Sequence, residues 1–175
     1  MPENSNTIAP TQQSSNSLLR RIAVLGSRAV GKSSLTIQFV EKSFRREYSV
    51  EITDTAGQDE FSILSSQHAV GIHGYVLVYS ITSRASFEIV KVIREKILNF
   101  TGTEWAPMII VGNKRDLHQQ RQISAEEGKE LALQWKCQFI ESSAKNNENI
   151  GQAFEIMIHE VEKSLSNPSE EKRNA

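Results

Sequence analysis

A short apolar run followed by a glycine-rich turn decides the fold of this chain. It occupies residues 22–33 and reads Ile22-Ala23-Val24-Leu25-Gly26-Ser27-Arg28-Ala29-Val30-Gly31-Lys32-Ser33. The apolar start predicts a buried strand, and the remainder matches G-x-x-x-x-G-K-[ST]. Such glycines let backbone N–H groups curl around a phosphate at a helix N-terminus, where Lys32 can reach a β- or γ-phosphate. The stretch therefore predicts a phosphate-binding loop; the alternative is a glycine-rich turn with an exposed lysine.

Strands and helices alternate along the rest of the chain. Apolar runs at Tyr75–Ser80, Met108–Val111 and Gln138–Glu141 predict three further strands. Longer segments with apolar residues three or four positions apart follow, as from Phe87 to Phe100 and from Ile150 to Leu165. This alternation predicts right-handed βαβ units and one α/β domain, with a mostly parallel central sheet and helices on both faces.

Polar composition separates the two ends of the chain from this domain. Residues 1–19 are rich in Ser, Asn, Gln, Thr and Pro, and we expect a disordered arm because they cannot bury enough apolar surface. Residues 166–175 are similar and contain Pro168, so we expect a disordered tail. The predicted domain spans residues 20–165.

Composition and charge exclude several classes of protein. There are 20 Lys and Arg residues against 21 Asp and Glu, a net charge of −1 that does not favour a nucleic-acid partner. The apolar runs are far shorter than the ~20 residues of a membrane span, so we expect none. The single cysteine, Cys137, falls in the last strand pattern and cannot form an internal disulfide, which indicates a cytoplasmic protein.

Three more loops follow strands, at the sheet edge where ligands bind in this architecture. The first is Asp54-Thr55-Ala56-Gly57-Gln58. Its acid can hold Mg²⁺ through water, the Gly57 N–H can meet a γ-phosphate, and Gln58 can orient an attacking water. The alternative is a plain turn after a short strand.

The second of these loops is Asn113-Lys114-Arg115-Asp116, an N-K-x-D string. Asp116 can accept hydrogen bonds from the N1–H and the 2-amino group of guanine, and the stem of Lys114 can pack along the base. Adenine offers neither donor, so it would leave a buried carboxylate unpaired at a cost of about 1–3 kcal/mol. The string predicts guanine selectivity; the alternative is a surface loop.

The third is Glu141-Ser142-Ser143-Ala144-Lys145, directly after the last strand. Its backbone N–H groups can contact guanine O6, and Lys145 can lie over the ring. By itself the string is a weak signal, and its position after the other three strengthens it.

Four loops in this order resemble the small GTPases of the Ras superfamily, and the resemblance extends from Arg21 to Lys163. Arg28, at a position where most of the superfamily has glycine, makes the chain most similar to the Rheb family. The segments that carry this similarity are Gly31–Val40, Asp54–Phe61, Gly74–Tyr79 and Glu126–Lys129.

The loops and the resemblance together predict a set of site residues. Gln58 and Lys32 are the expected catalytic residues, and Ser33 and Asp54 the expected Mg²⁺ ligands. The expected nucleotide-binding residues are Arg28, Ala29, Val30, Gly31, Lys32, Ser33, Ser34, Gly57, Asn113, Lys114, Asp116, Ser143, Ala144 and Lys145.

The resemblance also implies a biological role. It implies a GTP/GDP switch in TOR growth signalling with slow intrinsic hydrolysis, which a bulky Arg28 crowding Gln58 would explain. The implied partners are an effector kinase complex, an exchange factor and a GTPase-activating protein. It implies a cytoplasmic location, on the cytosolic face of membranes for the family.

Two parts of the family pattern are missing from this sequence. The interval between Ser33 and Asp54 is about half of that in the family, and the lost segment should contain switch I, its Mg²⁺-binding threonine and the second strand. We therefore expect a sheet that lacks that strand and has Val50–Asp54 as a short edge strand. The chain ends Lys172-Arg173-Asn174-Ala175 without a C-a-a-X box, so we expect no prenylation site in it.

Two hypotheses of different class follow. One is an enzyme that hydrolyses GTP to GDP by in-line attack of a water that Gln58 orients. The other is a guanine-nucleotide-binding module without effective hydrolysis or switching, because switch I is absent. An ATP-dependent P-loop kinase is disfavoured by Asp116.

Overall fold

One five-stranded sheet organises the part of the protein that the structure describes. The computed structural model describes residues 18–42, 48–54 and 71–166, with side chains described for 20–39 and 71–166. The strands are β1 (Leu18–Gly26), β2 (Tyr48–Asp54), β3 (Gly74–Ser80), β4 (Met108–Asn113) and β5 (Gln138–Glu141). Their order in the sheet is β2-β1-β3-β4-β5, and every pairing between these described strands is parallel. All five carboxyl ends therefore meet at one edge.

Four α-helices flank the sheet within the described ranges. They are α1 (Lys32–Lys42), α2 (Arg84–Thr101), α3 (Ala125–Gln134) and α4 (Ile150–Ser166), and a 3₁₀ helix spans Arg115–Gln120. Ser83 caps the N-terminus of α2 by accepting a hydrogen bond from the Ser86 N–H. None of these helices is both long and apolar enough to cross a membrane.

The helices cover both faces of the sheet because successive strand residues point to opposite sides. Ala23 and Leu25 belong to a buried cluster with apolar residues of α2 and α3. Ile22 and Val24 belong to a second cluster on the other face, where Phe39 of α1 stacks on Phe154 of α4 with ring centroids 4.1 Å apart. The predicted α/β fold class is confirmed.

The first crossover of the sheet is unusually short. Residues 43–47 are all that separates the end of α1 at Lys42 from the start of β2 at Tyr48. Five residues are too few for a switch loop followed by a further strand. After this connection β2 pairs with β1, and Asp54 lies opposite Val24. In the strand order β2 is outermost, beside β1, among the described strands. Within the described residues, no strand lies between α1 and β2 and residues 50–54 belong to the edge strand, as the sequence predicts.

Several predicted boundaries differ from the structure; β2, for example, begins at Tyr48 and not at the predicted Val50. β1 begins at Leu18, within the predicted arm, because pairing of Leu18 and Leu19 with Tyr48 and Ser49 extends the ladder. Ser166, assigned to the tail, is the last residue of α4. Cys137 precedes β5 instead of lying in it, because its N–H still donates to the Ala132 carbonyl in the turn after α3. The arm and tail predictions for residues 1–17 and 167–175 lie outside the described residues.

Candidate nucleotide-binding site

The loop between β1 and α1 is shaped by the two glycines of its motif. A Cβ at Gly26 would lie 2.2 Å from the carbonyl oxygen of Val78, so the two neighbouring strands approach too closely for any side chain. Gly31 has φ +94°, and a Cβ there would lie 2.3 Å from Nδ2 of Asn113. Backbone strain and a side-chain clash thus both require glycine at Gly31.

Lys32 is held against this loop. Its side chain is buried, and Nζ donates hydrogen bonds to the carbonyl oxygens of Gly26 at 2.5 Å and Ser27 at 3.0 Å. The ammonium is therefore fixed beside the loop, at the positive N-terminus of α1. Arg28, Ala29, Ser33 and Ser34 are exposed around it, whereas Val30 is buried in the core.

Asn113 connects the phosphate loop to the loop after β5. It is buried at the end of β4, and its Nδ2 donates to the carbonyl oxygen of Val30 at 2.8 Å. Its Oδ1 accepts from the Ser142 hydroxyl at 3.1 Å and from the Ala144 N–H at 3.3 Å. One buried amide therefore holds together segments that are far apart in the sequence.

Asp116 lies in the first turn of the 3₁₀ helix and is half-buried. The Ser143 hydroxyl donates to its Oδ1 at 2.7 Å and itself accepts from the Asn146 N–H at 3.1 Å. Two backbone hydrogen bonds between Ser143 and Glu148 close the turn. One carboxylate oxygen of Asp116 is thus fixed by the loop after β5.

The two predicted base-stacking lysines lie on either side of this acid in the sequence. Lys114 is half-buried and takes a left-handed conformation, φ +64°, immediately before the 3₁₀ helix. Lys145 is exposed. Ala144 is half-buried and joins the loops through its N–H.

The two predicted Mg²⁺ ligands, Ser33 and Asp54, are residues whose side chains carry oxygen donors. Ser33 lies at the start of α1 and Asp54 at the end of β2, and β1 and β2 are adjacent. A hydroxyl and a carboxylate are the hard oxygen donors that Mg²⁺ takes in small number beside phosphates and water. The described residues contain no cluster of three or more His, Cys, Asp or Glu that could hold a metal without such phosphates.

The structure describes only some of the residues predicted to take part in catalysis. Gly57 and Gln58 lie outside the described residues, as does the side chain of Asp54. Lys32 and the two loops predicted to bind the base, which follow β4 and β5, lie at the same edge of the sheet.

Sequence reasoning missed Ser142 as a member of the site. It is fully buried, donates to Asn113, and its N–H and carbonyl pair with the Gly112 carbonyl at 2.9 Å and the Arg115 N–H at 3.0 Å. The available signal was a small hydroxyl residue directly after the strand, one position before Ser143.

A parallel α/β sheet with a phosphate loop, an N-K-x-D loop and an S-A-K loop along one edge defines a P-loop small GTPase. A sequence profile of the Ras family matches residues 21–52 and 45–163. The chain belongs to the Ras family.

Several similar relatives carry Rheb or rhb names. It is 59% identical to the GTP-binding protein rhb1 of Schizosaccharomyces pombe over 169 residues, covering 86% of this chain and 91% of the relative. It is 49% identical to the GTP-binding protein Rheb homolog of Dictyostelium discoideum, covering 85% and 91%. It is 48% identical to the GTP-binding protein Rheb of Homo sapiens, covering 82% and 89%. The predicted Rheb-like small GTPase is confirmed, and GTPase activity is the activity of this family.

The chain is also shorter than this relative within the region that the two share. The Schizosaccharomyces pombe alignment is 169 residues long but takes in only 86% of a 175-residue chain. The relative therefore has residues within the aligned region to which nothing in this chain corresponds. The two matches to the Ras family profile overlap at residues 45–52, where the chain passes from α1 to β2.

Proposed function

We propose that this Rheb-like protein holds GDP or GTP across the three described loops, with the phosphates at β1–α1 and the guanine base between the loops after β4 and β5. The observation that carries this is the Asn113 side chain, which binds Val30 on one side and Ser142 and Ala144 on the other. These bonds preorganise the phosphate and base subsites relative to each other, which lowers the ordering cost of binding.

In this proposal, the loop between β1 and α1 and the first turn of α1 bind the phosphates. Backbone N–H groups from Ala29 to Ser34 face the phosphates, and Lys32 exchanges its carbonyl partners for phosphate oxygens. Ser33 and Asp54 would hold Mg²⁺, which would supply positive charge to neutralise the phosphates.

The base side depends on Asp116. Its carboxylate accepts from the N1–H and the 2-amino group of guanine, and the Ser143 hydroxyl at 2.7 Å limits how far it can turn away. Lys114 and Lys145 pack along the two faces of the base. Adenine would leave the carboxylate unpaired, which makes the site selective.

We propose that Gln58 orients the attacking water in line with the leaving GDP during GTP hydrolysis. Lys32 stabilises charge on the transferred phosphoryl group. Arg28 is exposed on the phosphate loop. We attribute the slow hydrolysis that the Rheb resemblance implies to this bulky side chain, which would crowd the space in which Gln58 works. These roles rest on the sequence motif and on the family.

A second candidate function is nucleotide binding without switching. It is favoured by the five-residue connection between α1 and β2, which is too short for switch I. Without the switch I threonine, the γ-phosphate makes fewer contacts, so GTP and GDP bind with similar affinity. A nucleotide that binds two conformations of a protein with equal affinity does not shift the equilibrium between those conformations.

The biological setting follows from the Rheb resemblance. We place the protein in the cytoplasm, in TOR growth signalling, with an effector kinase complex, an exchange factor and a GTPase-activating protein as partners. Loss of γ-phosphate sensing would uncouple effector recruitment from the bound nucleotide in this chain.

The nucleotide that remains bound through purification tests the proposal. We expect mass spectrometry of the denatured protein to show GDP or GTP in near-stoichiometric amount. The Asp116→Ala variant should retain far less guanine nucleotide, whereas Glu155→Ala, an exposed site on α4, should retain as much as the parent. Adenine nucleotide, or an empty parent protein that takes up no GDP, would contradict the proposal.

A further inference from the structure

The 3₁₀ helix that carries Asp116 has little packing of its own. None of its residues, Arg115–Gln120, is buried, so the helix adds no side chain to the core of the domain. A segment with few buried contacts opens easily unless hydrogen bonds or ion pairs hold it. The position of the Asp116 carboxylate therefore depends on the groups that bind the two ends of this helix.

The start of the helix is bound by the loop after β5. The Arg115 N–H donates to the Ser142 carbonyl oxygen at 3.0 Å, and the Ser143 hydroxyl donates to Asp116 Oδ1 at 2.7 Å. Both contacts lie within the proposed base site, and the second one ends on the carboxylate that reads the base.

The end of the helix is bound by Arg121, whose N–H donates to the His118 carbonyl oxygen at 3.3 Å. Its Nη1 and Nη2 donate to the two carboxylate oxygens of Glu141 at 2.6 and 2.9 Å, and Nη1 also donates to the Ile123 carbonyl oxygen at 2.9 Å. The side chains of Arg121 and Glu141 are 27% and 12% exposed. Two parallel hydrogen bonds fix the direction of the guanidinium as well as its distance from β5.

Glu141 is a firm anchor for this ion pair. It is the last residue of β5 and lies opposite Gly112 in the ladder with β4. Its carbonyl oxygen accepts from Nδ2 of Asn149 at 2.9 Å, immediately before α4 begins at Ile150. The loop that contains Ser143 begins directly after this anchored residue.

We propose that the ion pair between Arg121 and Glu141 positions Asp116 for guanine recognition; this inference rests on the proposed function. The pair fixes the end of the 3₁₀ helix to β5, while Ser142 and Ser143 fix its start. Neither Arg121 nor Glu141 is assigned a contact with the nucleotide, so both act through Asp116.

Loss of the pair would leave this helix bound to β5 and its loop through its start alone. The Asp116 carboxylate would then sample more positions, and ordering it against the base would cost part of the binding free energy. The hydrogen bond to the 2-amino group of guanine would weaken together with the hydrogen bond to N1–H. A base that lacks the 2-amino group has less to lose.

The test compares GDP with inosine diphosphate, which keeps N1–H but lacks the 2-amino group. Each is titrated into the full-length chain with Mg²⁺ present, and the parent should prefer GDP by about tenfold or more. In Arg121→Met we expect GDP affinity to fall at least about tenfold and the preference for GDP to fall at least about threefold. Arg121→Lys, which keeps the charge and one donor, should recover part of both. A smaller folded fraction would lower both affinities alike and leave the preference unchanged.

Arg20→Met is the matched control. Arg20 also binds a glutamate through two hydrogen bonds, to Glu162 at 2.5 and 3.3 Å, and the two side chains are 12% and 32% exposed. This pair joins the first half of β1 to α4, whereas the nucleotide loops lie at the carboxyl ends of the strands. Arg20→Met should keep the parent's preference for GDP, whatever its effect on the free energy of unfolding.

The outcomes separate this inference from the proposed function. A parent that binds GDP, with an unchanged preference for GDP in Arg121→Met, would overturn the positioning role and leave the proposed function intact. An equal loss of preference in Arg20→Met would also overturn it, because the effect would then follow from the loss of any ion pair. A parent that binds neither nucleotide would overturn both.

Discussion

Replacing Asn113 by alanine tests how the nucleotide loops are coupled. The substitution removes the donor to Val30 and the acceptor for Ser142 and Ala144, three hydrogen bonds of 2.8, 3.1 and 3.3 Å around a buried side chain. Each such bond contributes about 1 kcal/mol net. If their loss acts on the bound state, the total of about 3 kcal/mol corresponds to a loss of GDP affinity of more than about a hundredfold.

The assay is a titration with a fluorescent GDP derivative in the presence of Mg²⁺. Asn113→Asp is the second variant, because it keeps an acceptor for Ser142 but cannot donate to Val30, and we expect an intermediate loss. Asn99→Ala, at an exposed position of α2, is the control and should bind like the parent. A folded Asn113→Ala protein whose GDP affinity lies within about threefold of the parent would refute the coupling of the loops through this side chain.

Three further outcomes are expected. Asp116→Asn should shift base preference from guanine towards xanthine nucleotides, whose 2-oxo group needs a donor; competition binding with unchanged preference would remove Asp116 as the base reader. The Arg84 hydrogen bond, then the Ser124 N–H, lower the pKa of Glu127 from 4.5 to about 2. The ionised carboxylate therefore contributes its full stabilisation above pH 4.5 and progressively less as the pH falls through 2. NMR titration of Arg84→Met should give a clearly higher pKa for Glu127, and an unchanged pKa would contradict the role of Arg84. Tyr79→Phe should raise the free energy of unfolding by about 1 kcal/mol in denaturant titration, because the buried Tyr79 hydroxyl has no hydrogen-bond partner among the described residues. A decrease of that size in the free energy of unfolding would contradict this, since it would mean that the hydroxyl makes a hydrogen bond.

Most of the fold could be predicted because its signals are local. Each buried strand is a short apolar run, and α2 and α4 show the spacing of helices that bury one face. The start of β1 could not be predicted in this way. Arg20 and Arg21 interrupt the apolar pattern, and the strand extends to Leu18 only because Tyr48, thirty positions away, is its partner in the neighbouring strand.

The same division applies to the site. The phosphate loop and the N-K-x-D string are contiguous, so their positions at strand ends followed from the strand pattern. The hydrogen bond from Asn113 to Val30 joins residues 83 positions apart, and no local pattern indicates it. Ser142 was missed for the same reason, since its hydroxyl matters through Asn113 on a different strand.

Titration of the purified, nucleotide-free protein with GDP, a non-hydrolysable GTP analogue and ADP, all with Mg²⁺, tests the central claim most directly. The claim is that the loops around Asn113 bind guanine nucleotide while the short connection before β2 has removed γ-phosphate sensing. We predict that GDP and the GTP analogue bind within about tenfold of each other, or about 1.4 kcal/mol, and that ADP binds far more weakly. A preference of more than tenfold for the triphosphate, or equal binding of ADP, would contradict it.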